Sequence, residues 1–195
     1  MFQRLKGRHK GETAYIIGKG KSLLNLKRSD IGVGIIIAIY EATIPIEMLG
    51  FLNVTYSLQK DGGLNKNTPH SPSPECDRRD CDYCEWVVRP RKSVLLLHEQ
   101  EAKYCFEDYK PRYLFTLEEI GMDHNEFSLV CAIKIAQFMG CEKFKLVSCD
   151  AHTHGDYGNV VPVMEQSYYD WIYQKQREIL PEYLKGLNVE WITPK

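Results

Sequence analysis

Residues 13–26, TAYIIGKGKSLLNL, decide the fold prediction. The apolar run from Ala14 to Ile17 ends at Gly18, and leucines return at helical spacing after Ser22. A short β-rich run that ends in glycine and leads into a helix is typical of the first strand of an α/β domain. In such domains the first strand–helix turn is the usual place for a phosphate, because glycines let a ligand approach the backbone.

The rest of the chain continues this alternation. Six further strands are predicted at residues 33–40, 53–59, 93–99, 112–116, 143–150 and 188–193, and helices at 22–28, 44–50, 99–106, 128–139 and 163–180. Strands that are apolar throughout and alternate with helices indicate a mainly parallel sheet covered on both faces. The sequence therefore predicts a single Rossmann-like α/β domain over residues 1–195, with one irregular insertion at 61–92.

Composition agrees with a soluble globular domain. The chain has 195 residues, 26% of them charged, and a net charge of −1. The longest apolar run, residues 31–40, is too short to cross a bilayer, and residues 1–12 lack the hydrophobic core of a signal peptide. These features predict a cytoplasmic protein without a transmembrane segment. Residues 1–28 carry eight Lys or Arg and one acid, so this segment either attracts phosphates or is a solvated arm.

The glycine turn offers several groups to an anion. Its small residues let the backbone come close, its N–H groups point to the start of the next helix, and its lysines add positive charge. The alternative is a plain tight turn, because the third glycine of the dinucleotide fingerprint is absent. The candidate ligand-binding residues of the turn are Gly18, Lys19, Gly20, Lys21 and Ser22, with Ser22 as helix N-cap or phosphate donor.

The same turn resembles the G-[NKS]-G-P-S-L turn of the small bacterial sialyltransferases and of the related pterin pyrophosphokinase-like family. Residues 127–150, FSLVCAIKIAQFMGCEKFKLVSCD, are similar to the helix–glycine–strand segment of these families, which ends in G-x-D. Weaker similarities are IIIAIYEA at 35–42 and NVEWITP at 188–194. Together these segments span most of the chain outside residues 61–92.

The resemblance implies a nucleotide pocket in which a sugar is transferred from a cytidine monophosphate donor without a metal and with a histidine base. It assigns Gly18, Gly20 and Ser22 to the phosphate turn, Tyr40 and Glu41 to the end of the second strand, and Ser128 to a ribose or phosphate contact. The chain departs from the pattern at four points. Lys21 replaces a proline, NEFS replaces a Ser-Gly-type turn before the helix, SCD replaces G-x-D, and no Asn follows the second strand. These departures concern which nucleotide is bound.

A polar loop, AHTHGDYGN, follows the sixth strand. Sugar transfer needs a base for the acceptor hydroxyl, and histidine titrates near neutral pH. We predict His154 as this base, with His152 as the second candidate and Asp150 as a carboxylate that orients it. The alternatives are a divalent metal site that includes Asp156 and a polar loop without chemistry.

The insertion contains Cys-x4-Cys-x2-Cys in a segment poor in apolar residues. Such a segment cannot fold by burial, whereas a structural zinc ion with four protein ligands would order it. We predict that zinc is bound by Cys76, Cys81, Cys84 and His70, with His98 and Cys105 as other candidates for the fourth ligand. The alternative is three unpaired thiols in a loop. Arginines and aromatic residues around the cysteines also make nucleic-acid binding by this loop possible.

Three functions remain open from the sequence. The first is a transferase that uses a nucleotide-activated donor, most closely a sialyltransferase-like glycosyltransferase with an unidentified acceptor. The second is a pyrophosphokinase-like enzyme that uses ATP and Mg²⁺, for which Asp61, Asp150 and Asp156 would matter more than the histidines. The third is a non-catalytic binding module whose zinc loop contacts nucleic acid or protein.

Overall fold

The computed structural model describes residues 2–60, 90–100, 112–122, 127–149 and 166–195, with side chains from residue 174 onward in the last range. The predicted zinc ligands Cys76, Cys81, Cys84 and His70, the alternative ligand Cys105, and the loop residues Asp150, His152, His154 and Asp156 lie outside the described residues.

The described part of the chain forms one seven-stranded sheet in which every pair of neighbouring strands is parallel. The order across the sheet is β5-β4-β3-β2-β1-β6-β7. The prediction of a parallel Rossmann-like α/β sheet is confirmed. The strands are β1 (Thr13–Ile17), β2 (Ile35–Ile39), β3 (Thr55–Gln59), β4 (Val94–His98), β5 (Arg112–Phe115), β6 (Lys143–Val147) and β7 (Asn188–Ile192).

Three described α-helices accompany the sheet: α1 (Thr43–Leu49), α2 (Ser128–Phe138) and α3 (Gln166–Leu184). Helix α1 ends at Gly50, whose φ of 65° is the left-handed conformation that favours glycine at a helix end. Helix α2 lies where the sequence predicts it, and α3 extends to Leu184 rather than ending at residue 180. Among the helices that the structure describes, none is both long and apolar enough to cross a bilayer.

Both faces of the sheet are covered, as predicted. Along β1, Ala14 and Ile16 belong to the core that also contains the buried side of α2. Tyr15 and Ile17 alternate with them and pack on the opposite face, in a second core with Leu23 and the buried side of α1. Because side chains alternate along a strand, one apolar run supplies both cores, which explains why the predicted strands lack a polar face.

The basic N-terminal segment packs against the C-terminal end of α2. The backbone N–H groups of Gly7, His9 and Gly11 donate to the last carbonyl groups of the helix and its turn, Phe138, Met139 and Gly140, over 3.0, 2.7 and 2.9 Å. Phe2 is fully buried and stacks on Phe138. These bonds satisfy carbonyls that a helix end leaves without partners. The interpretation of this segment as a solvated arm is therefore wrong.

A buried polar cluster lies beneath this segment. The ring of His9 is bonded through Nε2 to the Tyr56 hydroxyl at 2.8 Å and through Nδ1 to Glu12 at 3.1 Å. Burial raises the pKa of Tyr56 to about 12, against an opposing effect of the nearby Arg8 charge. Burial, together with the charge of Glu12, also raises the pKa of the Cys141 thiol to about 12. Both groups are therefore protonated in the folded protein at neutral pH.

Glu47 of α1 holds the chain where it re-enters the sheet before β4. Its carboxylate accepts hydrogen bonds from the backbone N–H groups of Arg91, Lys92 and Ser93 at 2.8–3.0 Å and from the Ser93 hydroxyl at 2.6 Å. Glu47 and Ser93 are both buried. The structure thus describes residues 90–92, the last part of the predicted insertion. The Glu47 carboxylate binds the backbone N–H groups of Arg91 and Lys92 there.

Candidate functional site

The sheet order places a topological switch point between β1 and β6. From β1 the chain builds outward through β2 to β5, and then returns to the other side of β1 to form β6. Ligands of open α/β sheets bind beyond the carboxyl ends of the strands at such a point. We call this side of the sheet the carboxyl edge; there Gly18, Tyr40 and Ser148 directly follow β1, β2 and β6.

The glycine turn is tied to β6 by backbone hydrogen bonds. Gly18 N–H donates to the Val147 carbonyl and Gly20 N–H to the Ser148 carbonyl, each over 2.8 Å. Leu23 N–H donates back to the Gly20 carbonyl over 2.9 Å. Of the N–H groups that the glycine turn was expected to offer to an anion, those of Gly20 and Leu23 are therefore used within the protein.

Gly18 is required by the close approach of two chain segments. A Cβ atom at this position would lie 2.6 Å from the Ser148 carbonyl oxygen and 2.9 Å from Cys149 Cα. Its φ is outside the left-handed region, and Gly20 is extended with φ −64°. The missing side chain of Gly18 thus makes room for the end of β6, whereas the sequence suggested that it makes room for a phosphate.

The single short helix predicted at residues 22–28 is not continuous. Two short 3-10 turns, Lys21–Asn25 and Arg28–Asp30, take its place. Asp30 accepts a hydrogen bond from Lys27 N–H at 2.8 Å, as the third residue of a capping box, so a new turn begins at Lys27 and the first turn does not continue. The N-cap position belongs to Gly20, so Ser22 lies within the first turn, where it is buried. A five-residue 3-10 turn lacks the aligned dipole on which the anion argument relied.

Four predicted site residues from three separate segments meet at the carboxyl edge. Lys19 Nζ lies 3.2 Å from Glu41 Oε2 and 5.4 Å from the centre of the Tyr40 ring. The Tyr40 hydroxyl is 3.1 Å from Ser128 Oγ at the start of α2. The side chains of Lys19 and Glu41 are only 25% and 15% exposed, so this ion pair is weakly screened by solvent. The charge of Lys19 is therefore largely compensated before any anion arrives.

The backbone is strained at the two strand ends that flank β1. Among the described residues other than glycine, positive φ occurs at Tyr40, with 50°, and at Ser148, with 52°. A left-handed conformation costs a non-glycine residue about 1–3 kcal/mol and is found most often at functional sites. Both residues directly follow a strand, β2 and β6, at the carboxyl edge.

The same two strand ends carry buried oxygen atoms without a hydrogen bond. Within the described part of the chain these atoms are Ser148 Oγ and Glu41 Oε2. Ser148 is fully buried. Glu41 Oε2 is ion-paired with Lys19, but the orientation of the pair does not form a hydrogen bond. Buried polar atoms are nearly always satisfied, so these two exceptions make this edge the candidate binding site.

Sequence reasoning missed Ser148 and Cys149 as site residues. The Cys149 thiol is buried, 3.5 Å from the Val147 carbonyl oxygen and 3.6 Å from that of Ile16, at the junction of β1 and β6. Nothing in these residue types marks them as functional. Their position immediately after the sixth strand, beside the switch point, was the available signal.

His98, an alternative zinc ligand, is buried at the end of β4 with its ring 5.7 Å from that of Phe115. Since Gln59 pairs with Leu97 in register, His98 lies beside Lys60. Among the side chains that the structure describes, no group of three potential metal ligands comes together. The zinc site stays a prediction for residues outside that part.

Comparison with known proteins gives no match to a family model and no match to a curated protein. The resemblance to sialyltransferases and pterin pyrophosphokinase-like proteins therefore stays an expectation carried by the quoted motifs.

Proposed function

We propose that this protein is a transferase that binds a nucleotide-activated donor at the carboxyl edge, between β1 and β6, in the manner of a sialyltransferase-like glycosyltransferase. One observation carries the proposal. The ends of β2 and β6 each have a residue with a strained backbone and a buried oxygen atom without a hydrogen bond. Strain and unsatisfied polar atoms are costs that a bound ligand would offset.

The described side chains supply binding groups of more than one kind. Ser148 Oγ is a hydroxyl donor for a phosphate oxygen, and the hydroxyls of Tyr40 and Ser128 lie on the other side of β1. Lys21, in the turn after β1, is exposed and contributes positive charge. A ribose together with one phosphate suits this mixture better than a polyphosphate, which would require more uncompensated cations.

In the proposed reaction the acceptor hydroxyl oxygen attacks the anomeric carbon of the donor sugar. The bond from that carbon to the phosphate oxygen breaks, and the nucleoside monophosphate leaves with the electron pair. The hydroxyl proton passes to a base, to which we assign His154, with His152 as the second candidate and Asp150 as its orienting carboxylate. A structural zinc ion in the insertion and a cytoplasmic location complete the proposal.

A thermal-shift panel of CMP, AMP, ATP and UMP, each with and without Mg²⁺, tests the nucleotide site. CMP at about 100 times its dissociation constant should stabilise the protein by about 2.7 kcal/mol without metal. For a chain of this length that corresponds to a rise in Tm of about 5–11 °C. A response confined to ATP with Mg²⁺ would instead support the pyrophosphokinase-like function, and no response to any nucleotide would support the binding module.

Once a donor and acceptor are found, His154→Ala tests the chemistry. Turnover should fall by about 10²–10⁴-fold, the usual contribution of a positioned base, while donor affinity changes little. His152→Ala is the matched control, and a larger loss in that variant would assign the base to His152. Wild-type turnover in both variants would exclude a histidine base.

A further inference from the structure

We infer that the amino edge of the sheet, the side at which its parallel strands begin, docks this protein on the surface of an anionic lipid bilayer. In this arrangement two exposed apolar side chains enter the bilayer interface and the cations beside them bind lipid phosphates. The inference is independent of the proposed function, because it uses no residue of the carboxyl edge. The docking surface consists of Arg8, Lys10, Val33, Leu52, Arg91 and Lys92.

Two apolar residues project from loops at the amino edge. Val33 precedes β2 and Leu52 precedes β3, and among the large apolar side chains that the structure describes they are the most exposed, at 95% and 103%. Asn53 Nδ2 joins the two loops by donating to the carbonyl groups of Gly32 and Gly34, over 2.9 and 2.8 Å. Because these bonds fix the loops before binding, little conformational entropy is lost when Val33 and Leu52 leave water for an apolar phase.

One pair of exposed cations lies beside these loops in the segment before β1. Arg8 and Lys10 are both exposed, and His9 between them is buried. The His9 ring is bonded to the hydroxyl of Tyr56, the second residue of β3, over 2.8 Å. This bond holds the basic pair at the amino ends of the central strands, where the apolar loops also lie.

A second pair of exposed cations, Arg91 and Lys92, precedes β4. Glu47 binds the backbone N–H groups of both residues, which fixes their position while their side chains are exposed. Lys92 lines the same cavity of about 320 Å³ as Leu52, so this cation adjoins the apolar loop. At the described starts of β1, β4 and β6 exposed cations outnumber exposed carboxylates; they are Arg8, Lys10, Arg91, Lys92 and Lys143 against Glu12 and Glu142.

The combination of aliphatic side chains and cations favours a lipid surface over other partners. Proteins that lie on anionic membranes bury apolar side chains at the interface and place Lys and Arg near the headgroups. A single-stranded nucleic acid would use the cations, but its bases stack on aromatic side chains and not on Val33 or Leu52. A symmetric contact between two copies would bring the same cations against each other.

Co-sedimentation of the whole protein with lipid vesicles tests the inference. Vesicles of phosphatidylcholine and phosphatidylglycerol should bind the wild type at least about tenfold more tightly than vesicles of phosphatidylcholine alone. About 0.5 M NaCl should remove most of this difference, because salt screens the cations. Leu52→Ser and Val33→Ser should each weaken binding to the mixed vesicles about tenfold, as expected for one aliphatic side chain that no longer leaves water. Lys92→Ala should weaken it about fivefold.

Two matched variants serve as controls. Leu24→Ser removes another exposed leucine, 71% exposed, from the turn that follows β1, and Lys175→Ala removes an exposed lysine from α3. Both should bind the mixed vesicles as the wild type does. Equal binding to the two kinds of vesicle, binding to neither, or unchanged binding of Leu52→Ser and Val33→Ser would overturn the inference. A dimer that Leu52→Ser dissociates, or binding of an oligonucleotide without binding of vesicles, would assign this surface to another partner and would overturn it as well.

Discussion

Replacing Gly18 with alanine tests how closely β1 and β6 must approach at the carboxyl edge. The new Cβ would lie 2.6 Å from the Ser148 carbonyl oxygen and 2.9 Å from Cys149 Cα. Both are backbone atoms, which cannot rotate away as the tip of a side chain can. The end of β6 must therefore shift, and the shift strains the two 2.8 Å hydrogen bonds that join Gly18 and Gly20 to Val147 and Ser148.

The cost follows from these contacts. Overpacking of a well-packed site costs about 1–3 kcal/mol. Weakening or loss of one of the backbone hydrogen bonds adds about 0.5–1.5 kcal/mol. We therefore expect Gly18→Ala to lower the free energy of unfolding by about 2–4 kcal/mol. At about 2–4 °C per kcal/mol for a chain of this length, Tm should fall by about 4–16 °C.

Differential scanning calorimetry of Gly18→Ala and Gly32→Ala measures the effect. A Cβ on Gly32 would meet the Tyr15 hydroxyl at 2.7 Å, but that hydroxyl is the far end of a side chain that can move. Gly32→Ala should therefore cost less than about 1 kcal/mol, the range of substitutions that create no buried backbone collision. If Gly18→Ala melts within the error of wild type, or no lower than Gly32→Ala, the requirement for close approach at Gly18 is refuted.

Three further predictions concern stability and metal content. Between pH 9 and pH 12 the free energy of unfolding should fall as the pH rises. Burial raises the pKa of both Cys141 and Tyr56 to about 12, so in this range the unfolded chain releases protons from these groups that the folded chain keeps. The loss should reach about 3–4 kcal/mol by pH 11, and urea unfolding at pH 8 and pH 11 should show a smaller loss for Cys141→Ala. Glu47→Ala should lower the free energy of unfolding, measured by thermal unfolding, by about 3–5 kcal/mol, because three buried or part-buried N–H groups and a hydroxyl lose their acceptor. Alanine at the exposed Glu142 is the control and should cost less than about 0.5 kcal/mol. Elemental analysis of protein purified without added metal should find one zinc per chain, and its absence would exclude the predicted ligand set of Cys76, Cys81, Cys84 and His70.

The strands could be predicted because a parallel sheet buried on both faces leaves a simple signal. Residues of β2, IIIAI, are all buried, and the apolar run in the sequence marks the strand to within two residues. The meeting of Lys19, Tyr40, Glu41 and Ser128 could also be anticipated. In an α/β fold the ends of parallel strands and the starts of the following helices lie at one edge, so residues at those positions become neighbours whatever their distance along the chain.

Other features depend on contacts that no sequence pattern contains. The helix expected at residues 22–28 is interrupted at Lys27, where the capping-box bond from its N–H to Asp30 starts a second 3-10 turn. The left-handed conformations of Tyr40 and Ser148 occur in residue types that seldom adopt them. The ion pair between Lys19 and Glu41 requires that two turns from different strands face each other at 3.2 Å, which the tertiary structure alone decides.

That ion pair changes what the glycine turn can bind. If an anion recruits Lys19 away from Glu41, the largely buried Glu41 carboxylate loses its counter-charge, and leaving such a group unpaired costs several kcal/mol. A nucleotide bound as proposed would avoid this cost, because it carries hydroxyl donors for the carboxylate as well as a phosphate for the lysine.

Inorganic phosphate offers Glu41 no hydroxyl donor on a neutral group, and its own negative charge repels the carboxylate. We therefore expect about 10 mM phosphate to leave Tm unchanged, whereas a nucleoside monophosphate at the same concentration should raise Tm. Sodium sulfate is the control for ionic strength and general anion effects. Glu41→Ala should reverse this behaviour, because removal of the carboxylate removes the penalty for drawing Lys19 towards phosphate. If phosphate raises the Tm of the wild type as much as the nucleotide does, separating Lys19 from Glu41 costs little free energy, and the argument from the ion pair is refuted.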